Sequence, residues 1–594
     1  MTRKLAESAY FPILPARAAH RPFGIWPRHA ERRRLAGSRV IEVLMADTLL
    51  DIPPVLIVGA GPTGLAAAMS LARARVPVRI VDRLVTPAPY SRAIGIQART
   101  LELLEQHRAV EPFLELGHRV HAAALHADGR VIAQLDFDPL QTRYPYLLLL
   151  DQSVTERLLT EHLAGFGVRV ERGVKLCACD AGGTSLDVTL RGADGRTERF
   201  APSYLIAADG AHSTVRHLLG VGFAGHAFEQ TFLLADFAAI PDWPDDEIHL
   251  FTTSDGIAGL FPLGEGRYRL VADRPPGEPL PDASAPSLDV CEAIVRTRIG
   301  TSIAPSDLAW SSYFHLHSRM VERLRHGRVF FAGDAAHVHS PAGAQGMNTG
   351  IQEAFNLGWK LARVLSGGAP ERLLDTYHAE RHPIERDVLR QTGFVTQIVE
   401  ADHGAMKLLR DRIVPLLSSF GPVRDALRRT VSELGVQYRK SPLTLERVLD
   451  GGPRAGERAP DALLHVIDGP LGQAPGTARL YDLHDPASFT LLLLEEHPEC
   501  RAGRRAADAG RCAGARARAR TGSCRVPCAR GRIGDAGRQR PPKGVAQGVR
   551  AARGRSFYLL RPDGYVAARG RTATDANALL RHCEGWFAGV SLSA

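Results

Sequence analysis

The stretch that most constrains this chain begins at residue 55. Residues 55–58 are β-branched residues and leucine, and three glycines follow at the spacing G-x-G-x-x-G, namely Gly59, Gly61 and Gly64. Residues 65–74 are rich in alanine and leucine and predict a helix. A strand, a tight turn and a helix in this order are typical of a dinucleotide-binding unit, because the helix N-terminus presents free N–H groups to a pyrophosphate.

Each glycine of this motif has a separate expected role. Gly59 permits the turn, Gly61 lets the backbone approach the pyrophosphate, and Gly64 lets the helix pack closely on the strand. A second predicted strand ends at Asp82, 18 residues beyond Gly64, and that spacing suits an acceptor for a ribose hydroxyl group. NAD and FAD enzymes share these features. The motif therefore predicts a dinucleotide site without deciding which dinucleotide binds.

Two later stretches repeat the design of a buried strand that ends in a carboxylate. Asp209 and Gly210 follow one apolar run, and Gly333 and Asp334 follow another. Strand ends that direct carboxylates toward one crevice suit ribose and ribityl hydroxyl groups. A glycine-punctuated loop at residues 340–348 then leads to a predicted helix, whose apolar residues repeat from Ile351 and whose N-terminus would stabilise negative charge on an electron-accepting ring.

Length and charge exclude other classes of protein. The chain has 594 residues, enough for two to four domains. Its net charge of +10 is unevenly distributed, because residues 501–555 carry +14 and residues 1–44 carry +6, which leaves −10 for the remainder. An acidic body gives no support to a nucleic-acid partner.

The apolar runs and the cysteines bear on location and metal binding. No apolar run approaches the roughly 20 residues that span a bilayer, so we predict a soluble protein without a membrane partner. Eight cysteines are present without a C-x-x-C pair, and their spacing fits no zinc-ligand pattern. We therefore predict no metal site, no disulfide framework and a cytoplasmic location.

Two segments do not look like parts of an ordered domain. Residues 1–44 contain scattered arginines and prolines and lack the apolar core of a secretory signal, so we expect a disordered N-terminal extension. Residues 501–555 contain no Leu, Phe, Tyr or Trp and cannot bury enough apolar surface to order themselves. They are either a disordered basic loop or the product of a shifted reading frame, and the sequence leaves both interpretations open.

Together the three motifs resemble those of the FAD-dependent aromatic hydroxylases, single-component flavoprotein monooxygenases of the p-hydroxybenzoate hydroxylase type. The resemblance covers about residues 53–400, and residues 335–350 are most similar to the phenol and pentachlorophenol monooxygenase branch and to the polyketide hydroxylases. It implies an α/β fold in which a Rossmann-type FAD-binding domain carries an inserted β-sheet substrate domain. The longer members add a C-terminal thioredoxin-like domain.

The resemblance also implies how the chain is divided. The expected regions are a discontinuous FAD-binding domain at 53–120, 149–222 and 321–400, a substrate domain at 121–148 and 223–320, a helical linker region at 401–450, and the thioredoxin-like domain at 455–594. The last region lacks a redox cysteine pair. We therefore expect it to serve packing or the formation of a homodimer.

Cofactor-binding residues follow from the same resemblance. Asp82 would hold the adenosine ribose, Arg92 and Gln152 would contact FAD, and Asp334 would hold the ribityl chain. Asp209 and its neighbours would serve both FAD and the transient NAD(P)H. The complete implied set is Gly59, Gly61, Gly64, Asp82, Arg92, Gln152, Asp209, Gly210, Gly333, Asp334, Pro341, Gly346, Met347 and Asn348. The last three would present backbone N–H groups to the flavin.

The chemistry implied by the resemblance leaves little for side chains to do. NAD(P)H reduces the flavin, O2 adds at C4a, and the flavin hydroperoxide hydroxylates an electron-rich phenolic or polyketide ring. Some phenol hydroxylases have an acid near the position of Ile94, which is apolar in this chain. A base for the phenol must lie elsewhere, and the candidates are Tyr268, His226, His315 and His317.

Two alternatives remain at the level of sequence. The same scaffold supports epoxidation and Baeyer–Villiger oxidation. If a shifted reading frame disrupts the C-terminal region, the chain would instead be a flavin-binding protein with impaired catalysis. A plain NAD dehydrogenase is disfavoured by Asp334 and the loop that follows it.

Overall fold

The fold is mixed α/β, as predicted. The computed structural model describes residues 52–87, 93–127, 129–183, 185–274, 285–300, 303–339, 345–399, 420–449, 451–466, 476–496, 515–522, 528–532 and 556–587. The N-terminal extension expected at residues 1–44 lies outside these ranges, as do Arg92 and Pro341.

The strands belong to three large sheets and two small ones. In the first half of the chain they are β1 Val55–Val58, β2 Val78–Asp82, β3 Gly95–Ile96, β4 His118–Val120, β5 Ala122–Ala127, β6 Arg130–Asp136, β7 Leu147–Leu149, β8 Val170–Arg172, β9 Lys175–Asp180, β10 Asp187–Arg191, β11 Thr197–Phe200, β12 Leu205–Ala207, β13 Ala224–Ala238, β14 Glu247–Thr253, β15 Gly256–Gly264 and β16 Arg267–Asp273. In the second half they are β17 Ser306–Met320, β18 Arg325–His326, β19 Val329–Phe331, β20 His337–Val338, β21 Leu463–Val466, β22 Gly476–Arg479, β23 Phe489–Glu496, β24 Ala515–Gly522, β25 Cys528–Arg532, β26 Ser556–Leu560 and β27 Val566–Arg571.

Helices connect and cover these sheets. They are α1 Pro62–Arg73, α2 Ala98–Gln106, α3 Glu111–Leu116, α4 Gln152–Ala164, α5 Thr214–Leu218, α6 Leu288–Ile294, α7 Gly346–Leu365, α8 Asp375–Val399, α9 Gly421–Val431, α10 Leu480–Leu483 and α11 Thr572–Trp586. No helix in the described ranges has both the length and the apolar composition needed to cross a membrane.

The first motif lies in a six-stranded sheet with the order β18-β19-β12-β1-β2-β8. β1 pairs in parallel with β2 and β12, and β12 pairs in parallel with β19. The strands β1, β12 and β19 are buried along their whole length, as expected for a parallel sheet covered on both faces. Helix α1 packs against α7 and α4 beside this sheet.

The second large sheet has eight strands in the order β20-β17-β13-β16-β15-β14-β5-β6. β13 pairs antiparallel with both β16 and β17, and β14 pairs in parallel with β5. β5 and β6 therefore join a sheet whose other strands come from a much later part of the chain. Successive residues of its strands point to opposite faces, so each face has its own neighbours.

The two faces of the eight-stranded sheet pack on different partners. One face buries Leu233, Phe237 and Tyr268 in a cluster that includes residues of α6. The opposite face places Ile248 and Phe261 in a cluster with Ile94, Leu147 and Leu149, which lie at β3 and β7. The second face is therefore the one that lies against the domain of the parallel sheet.

The C-terminal region forms a third sheet, in the order β22-β21-β25-β24-β23-β26-β27. β23, β26 and β27 are antiparallel neighbours, and α11 packs on β27. Two strands, β24 and β25, fall within the arginine-rich segment 501–555. The other residues of that segment lie outside the described part of the chain.

Candidate functional site

Three strand ends converge at one edge of the parallel sheet. Val58 lies opposite Ala207, and Ala207 lies opposite Phe331, so β1, β12 and β19 end side by side. The residues that follow these ends are the three motifs singled out in the sequence. Parallel strands bring their carboxyl ends to the same edge, where α/β proteins bind ligands.

The glycine-rich turn has a different geometry at each glycine. Gly59 has a φ of +102°, and a Cβ there would lie 2.9 Å from the Cα of Asp209. A Cβ on Gly64 would overlap the carbonyl oxygen of Gly59, so α1 packs on the turn only with glycine at this position. By contrast, no described atom lies within 4 Å of a Cβ placed on Gly61. Gly61 therefore borders open space at the start of α1.

Asp82 lies at the end of β2, next to the glycine-rich turn. Its Oδ2 accepts a hydrogen bond from the backbone N–H of Ala60 at 2.8 Å, and its Oδ1 accepts one from Leu84 at 2.8 Å. Arg172 Nη1 lies 3.8 Å from Oδ2. The carboxylate is thus held beside the open space that Gly61 borders.

Asp209 is held by the start of α5. Its Oδ2 accepts hydrogen bonds from the backbone N–H groups of Thr214 at 2.6 Å and Val215 at 3.1 Å. Its Oδ1 is buried and has no hydrogen-bond partner among the described residues. Burial raises the pKa of this carboxyl group above its ordinary value, against the hydrogen bonds that it accepts. One oxygen of Asp209 therefore remains for a ligand.

Arg216 connects the second motif to the third. Its Nη2 donates to the carbonyl oxygen of Ala211 at 2.6 Å, and its Nη1 donates to that of Ala335 at 3.0 Å. Its guanidinium lies 3.9 Å from the centre of the Phe223 ring. This buried side chain keeps the two motifs together at the sheet edge.

In the third motif, Asp334 is exposed although the residues on both sides are buried. The backbone N–H of Gly333 donates to Glu353 Oε2 at 2.7 Å. Gly333 has a φ of +59°, and a Cβ there would lie 2.6 Å from Thr63 Oγ1 in the first motif. The backbone thus turns directly after β19, and the Asp334 side chain is exposed at that strand end.

A buried cluster lies behind Gly333. His337 Nε2 is 2.8 Å from Glu353 Oε1, and Arg381 Nη2 is 3.7 Å from the same oxygen. Burial opposes the charge on His337, but Glu353 outweighs it and raises the pKa of His337 to about 9. Burial and the neighbouring Glu353 raise the pKa of Glu385. His337, Glu353 and Glu385 have ligand atoms within 4.8 Å of one another, yet Arg381 already supplies the positive charge that a cation would bring.

The N-terminus of α7 is tied to β3. Asn348 is buried, its Oδ1 accepts from the backbone N–H of Gln97 at 2.9 Å, and its Nδ2 donates to the carbonyl oxygen of Gly95 at 2.8 Å. The first N–H groups of a helix have no partner inside it, and here they belong to residues 346–348. The Asn348 side chain therefore serves structure, while the backbone of the same turn remains suited to a ligand.

Gln152 begins α4 and contacts the stretch that follows Arg92. Its Oε1 accepts from the backbone N–H of Ala93 at 3.3 Å, and its Nε2 donates to Glu156 Oε1 at 2.9 Å. Gln152 therefore anchors the chain next to the position of Arg92.

These features were compared with known proteins. Residues 53–392 match the family described as FAD binding domain. The chain is 38% identical over 462 residues to the 6-methylpretetramide 4-monooxygenase of Streptomyces rimosus, covering 75% of this chain and 80% of that protein. It is 35% identical over 450 residues to the pentachlorophenol 4-monooxygenase of Sphingobium chlorophenolicum, covering 74% of this chain and 79% of that protein.

The chain belongs to the FAD-dependent aromatic hydroxylases. Its fold matches the solved structure of an anhydrotetracycline hydroxylase from Streptomyces rimosus with a TM-score of 0.67 and 29% identity, over 91% of this chain and all of that one. The resemblance recognised in the sequence is therefore confirmed, and with it FAD as the cofactor and a monooxygenase activity on aromatic rings.

The residues at the sheet edge fit FAD. Open space at Gly61 leaves room for a pyrophosphate beside the N-terminus of α1. The second oxygen of Asp209 and the exposed carboxylate of Asp334 provide hydrogen-bond acceptors at the ends of two adjacent strands. The hydroxyl groups of a ribose and a ribityl chain need such acceptors.

The four residues that the sequence offered as a base lie on the eight-stranded sheet and not in the three motifs. Tyr268 is buried in the cluster beside α6, on the face turned away from the parallel-sheet domain, and burial raises its pKa. His315 and His317 are exposed on β17, and His315 Nδ1 lies 3.1 Å from Thr231 Oγ1. His226 is exposed on β13. The three histidines therefore lie near one another on the paired strands β13 and β17, whereas Tyr268 lies apart from them on β16.

A different group of ionisable side chains lies on the face that meets the flavin domain. Arg269 is fully buried, and its Nε and Nη2 each donate to one oxygen of Asp236 at 2.6 Å. Its Nη2 also lies 3.4 Å from Asp151 Oδ1, directly before Gln152. The Arg269 guanidinium is 5.3 Å from the centre of the Trp310 ring.

Sequence reasoning missed this group. Arg269 lies inside the strand-like run Arg-Tyr-Arg-Leu-Val-Ala-Asp of residues 267–273, and an arginine between apolar residues of that run was the available signal. Asp236 occupies a similar position in β13, directly opposite Arg269. Buried charges of this kind are rarely found without a partner.

Proposed function

We propose that this protein hydroxylates a phenol or a phenol-like polyketide, with O2 as oxidant and NAD(P)H as reductant. The support is the meeting of three nucleotide-binding motifs at one sheet edge, opposite a sheet face that carries aromatic and ionisable side chains. The relatives' names point to the same class of substrate, since they act on 6-methylpretetramide, pentachlorophenol and anhydrotetracycline.

For the cofactor, we propose the roles that the resemblance implies. Asp82 holds the adenosine ribose, Asp334 holds the ribityl chain, and Arg92 and Gln152 contact FAD. The backbone N–H groups of residues 346–348 face the flavin, and their helix N-terminus favours negative charge there. FAD supplies the activation of O2 when it is bound and reduced. The protein positions the ring and excludes water.

For the substrate, we propose a position on the face formed by Phe261, Trp310 and Arg269. Among the described residues, the one guanidinium of Arg269 is shared by two carboxylates, Asp236 at 2.6 Å and Asp151 at 3.4 Å. The Asp151 side chain is 41% exposed and only loosely paired, whereas Asp236 is 11% exposed. We propose that Asp151 accepts the proton or the hydrogen bond of the phenolic hydroxyl group.

The remaining assignments rest on the sequence and on the sheet arrangement. The sharing of one sheet by β5, β6 and β13–β17 supports a substrate domain built from residues 121–148 and 223–320. The β26–β27 hairpin followed by α11 supports a thioredoxin-like C-terminal domain. We propose a cytoplasmic homodimer in which that domain serves packing or dimerisation.

The test is oxygen transfer itself. We would purify the protein with FAD and follow the oxidation of NADH and NADPH in air with a panel of phenols and tetracyclic polyketides, while measuring peroxide. The expected result is substrate-stimulated oxidation with little peroxide and a product that carries one 18O atom from labelled O2. Oxidation that yields peroxide alone with every compound would contradict the proposed substrate class.

A further inference from the structure

A turn in the C-terminal region inserts into the flavin domain. Arg561 and Asp563 lie in the turn between β26 and β27, and the backbone N–H of Gly564 donates to the Arg561 carbonyl oxygen at 2.8 Å. Arg561 and Asp563 are only 1% and 3% exposed, although turns of this kind usually lie at the surface. The burial shows that the turn is an interface element.

Arg561 binds a carboxylate of α8. Its Nη1 and Nη2 donate to the two oxygens of Glu380 at 2.6 and 2.9 Å, while its Nε and Nη2 donate to Asp563 at 2.9 and 2.6 Å. Its guanidinium also lies 5.2 Å from the centre of the Trp359 ring of α7. Paired hydrogen bonds between arginine and carboxylate groups are among the strongest and most directional in proteins.

The same carboxylate is held by α7. Glu380 Oε2 accepts from Lys360 Nζ at 2.7 Å and from Asn356 Nδ2 at 2.8 Å. Asn356 Nδ2 lies 3.3 Å from Asp563 Oδ2 as well. Burial opposes the charge on Glu380, but Arg561 and Lys360 lower its pKa. The turn thus completes a buried ionic network on α7 and α8.

The turn also contacts α2. Arg99 Nη2 donates to the carbonyl oxygen of Asp563 at 2.7 Å, and its guanidinium lies 4.8 Å from the centre of the Tyr565 ring. Gly564 packs so closely on α2 that a Cβ would lie 2.7 Å from Gln106 Nε2. One turn therefore touches α2, α7 and α8 at once.

These three helices matter because two of them begin at the flavin site. Asn348 in the first turn of α7 binds Gln97, the residue before α2. Asn356 lies eight residues further along α7, about 12 Å away at 1.5 Å per residue. The turn therefore holds α2 and α7 together behind the place where their N-termini meet.

We infer that the turn of residues 561–565 is a positioning element of the FAD site, because it bridges α2, α7 and α8 and so keeps the start of α7 against β3. The inference rests on FAD binding and does not depend on which substrate is hydroxylated. The turn does not touch FAD and acts only through the helices. Through this turn, the C-terminal region contributes to FAD binding without contacting FAD.

The structure offers a matched control in the same sheet. Arg569 on β27 is 4% exposed, and its Nε donates to Glu446 Oε1 at 2.8 Å. Its Nη1 donates to the carbonyl oxygens of Gly451, Gly452 and Pro453. Arg569 therefore resembles Arg561 in burial and pairing, but none of these bonds reaches α2, α7 or α8.

The experiment compares Arg561→Ala with Arg569→Ala. The apoprotein of each variant is titrated with FAD, with quenching of flavin fluorescence and the visible circular dichroism of the flavin as readouts, and its thermal unfolding is recorded. We expect Arg561→Ala to raise the Kd for FAD by about tenfold or more, and Arg569→Ala to leave it within about twofold at a comparable loss of thermal stability.

Two further variants keep the test decisive if Arg561→Ala does not fold. Arg561→Lys retains the charge without the two-pronged geometry, so the Kd should rise less than in the alanine variant. Gly564→Ala keeps every charge and pushes a methyl group against Gln106, so it should weaken FAD binding as well. Equal FAD affinity in the Arg561, Gly564 and Arg569 variants would overturn the inference. A failure to hydroxylate any substrate would not, because no substrate is used.

Discussion

The two sheets that enclose the site present their functional groups in different ways. In the parallel sheet the groups follow the strand ends, so Gly59, Asp209 and Asp334 reach one crevice as soon as the strands pair. In the eight-stranded sheet the groups lie in mid-strand, where neighbours such as Tyr268 and Arg269 point to opposite faces. Sequence motifs identify functional groups at strand ends, whereas only the packing of the sheet shows which mid-strand side chains face the site.

The largest expected effect separates two glycines of the parallel sheet. Gly64→Ala should prevent stable folding or cost about 1–3 kcal/mol, because the new methyl group would overlap the Gly59 carbonyl oxygen. Gly61→Ala should leave the unfolding free energy of the apoprotein nearly unchanged and weaken FAD binding, because its methyl group would enter only the ligand space. Urea unfolding of the apoprotein and FAD titration measure the two quantities separately.

Two results would contradict the roles assigned to Gly61 and Gly64. A Gly61→Ala apoprotein as unstable as the Gly64→Ala apoprotein would mean that the space beside Gly61 is filled by the protein. Full FAD affinity in Gly61→Ala would mean that the pyrophosphate lies elsewhere.

The second prediction concerns adjacent residues of the eight-stranded sheet. Arg269→Met should lower kcat/KM at least tenfold, about 1.4 kcal/mol, because it removes a polar group from the flavin-facing side and leaves Asp236 buried without its partner. Tyr268→Phe should change kcat/KM by less than about twofold, because the hydroxyl group lies on the far face. Steady-state kinetics at equal FAD content provide the measurement.

The result to check is which of the two variants, Arg269→Met or Tyr268→Phe, loses more kcat/KM. If Tyr268→Phe lowers kcat/KM more than Arg269→Met does, the face that we assign to the substrate is wrong, and Tyr268 is again a candidate for the base. Asp151→Asn refines the result, since loss of the proton acceptor should matter most at pH values below the pKa of the phenol.

The smallest expected effect is a pH dependence of stability with opposite signs at two histidines of the eight-stranded sheet, His337 of β20 beside the flavin domain and His249 of β14. His337, beside Glu353 in the flavin domain, has a pKa raised from 6.5 to about 9. Its contribution to stability is complete below pH 6.5 and is lost as the pH rises to about 9. His249, on β14 of the same sheet, has a pKa lowered to about 4 by burial and by His126. Its contribution is complete above pH 6.5 and is lost as the pH falls toward 4.

Each histidine therefore has a matched variant. His337→Gln should remove part of the stability loss on the alkaline side, and His249→Gln should remove part of the loss on the acidic side, each by about 1 kcal/mol or less. Urea unfolding of the apoprotein at pH 5, 6.5 and 8.5 measures both. A His337→Gln variant with an unchanged alkaline slope would show that His337 is not charged in the folded protein.

The flavin motifs show how far the sequence leads. The strand before Gly59, the spacing to Asp82 and the two later carboxylates place these residues at one sheet edge, because strand pairing in parallel leaves little freedom. The resemblance assigned the backbone N–H of Asn348 to the flavin, and this stays a prediction; the sequence did not show that the Asn348 side chain binds Gly95 and Gln97. A helix start is visible in the sequence, but the partner of one amide side chain depends on which strand lies beside it.

The base candidates show where sequence reasoning ends. Tyr268 and the histidines were chosen by residue type, and residue type does not say which face of a strand meets the flavin domain. The inserted turn at Arg561 lies far along the chain from Glu380 and Arg99, so its role was equally invisible.

By itself the sequence determined the cofactor class, the family and the order of the flavin-binding motifs, because these depend on short local patterns of strand, glycine and carboxylate. Only the tertiary structure decided which side chains of the eight-stranded sheet face the flavin domain, and that a C-terminal turn braces α2 and α7. Both depend on contacts between residues distant in sequence. Such contacts form only in the folded chain, where sheet faces pack against other elements and buried charged groups form ion pairs.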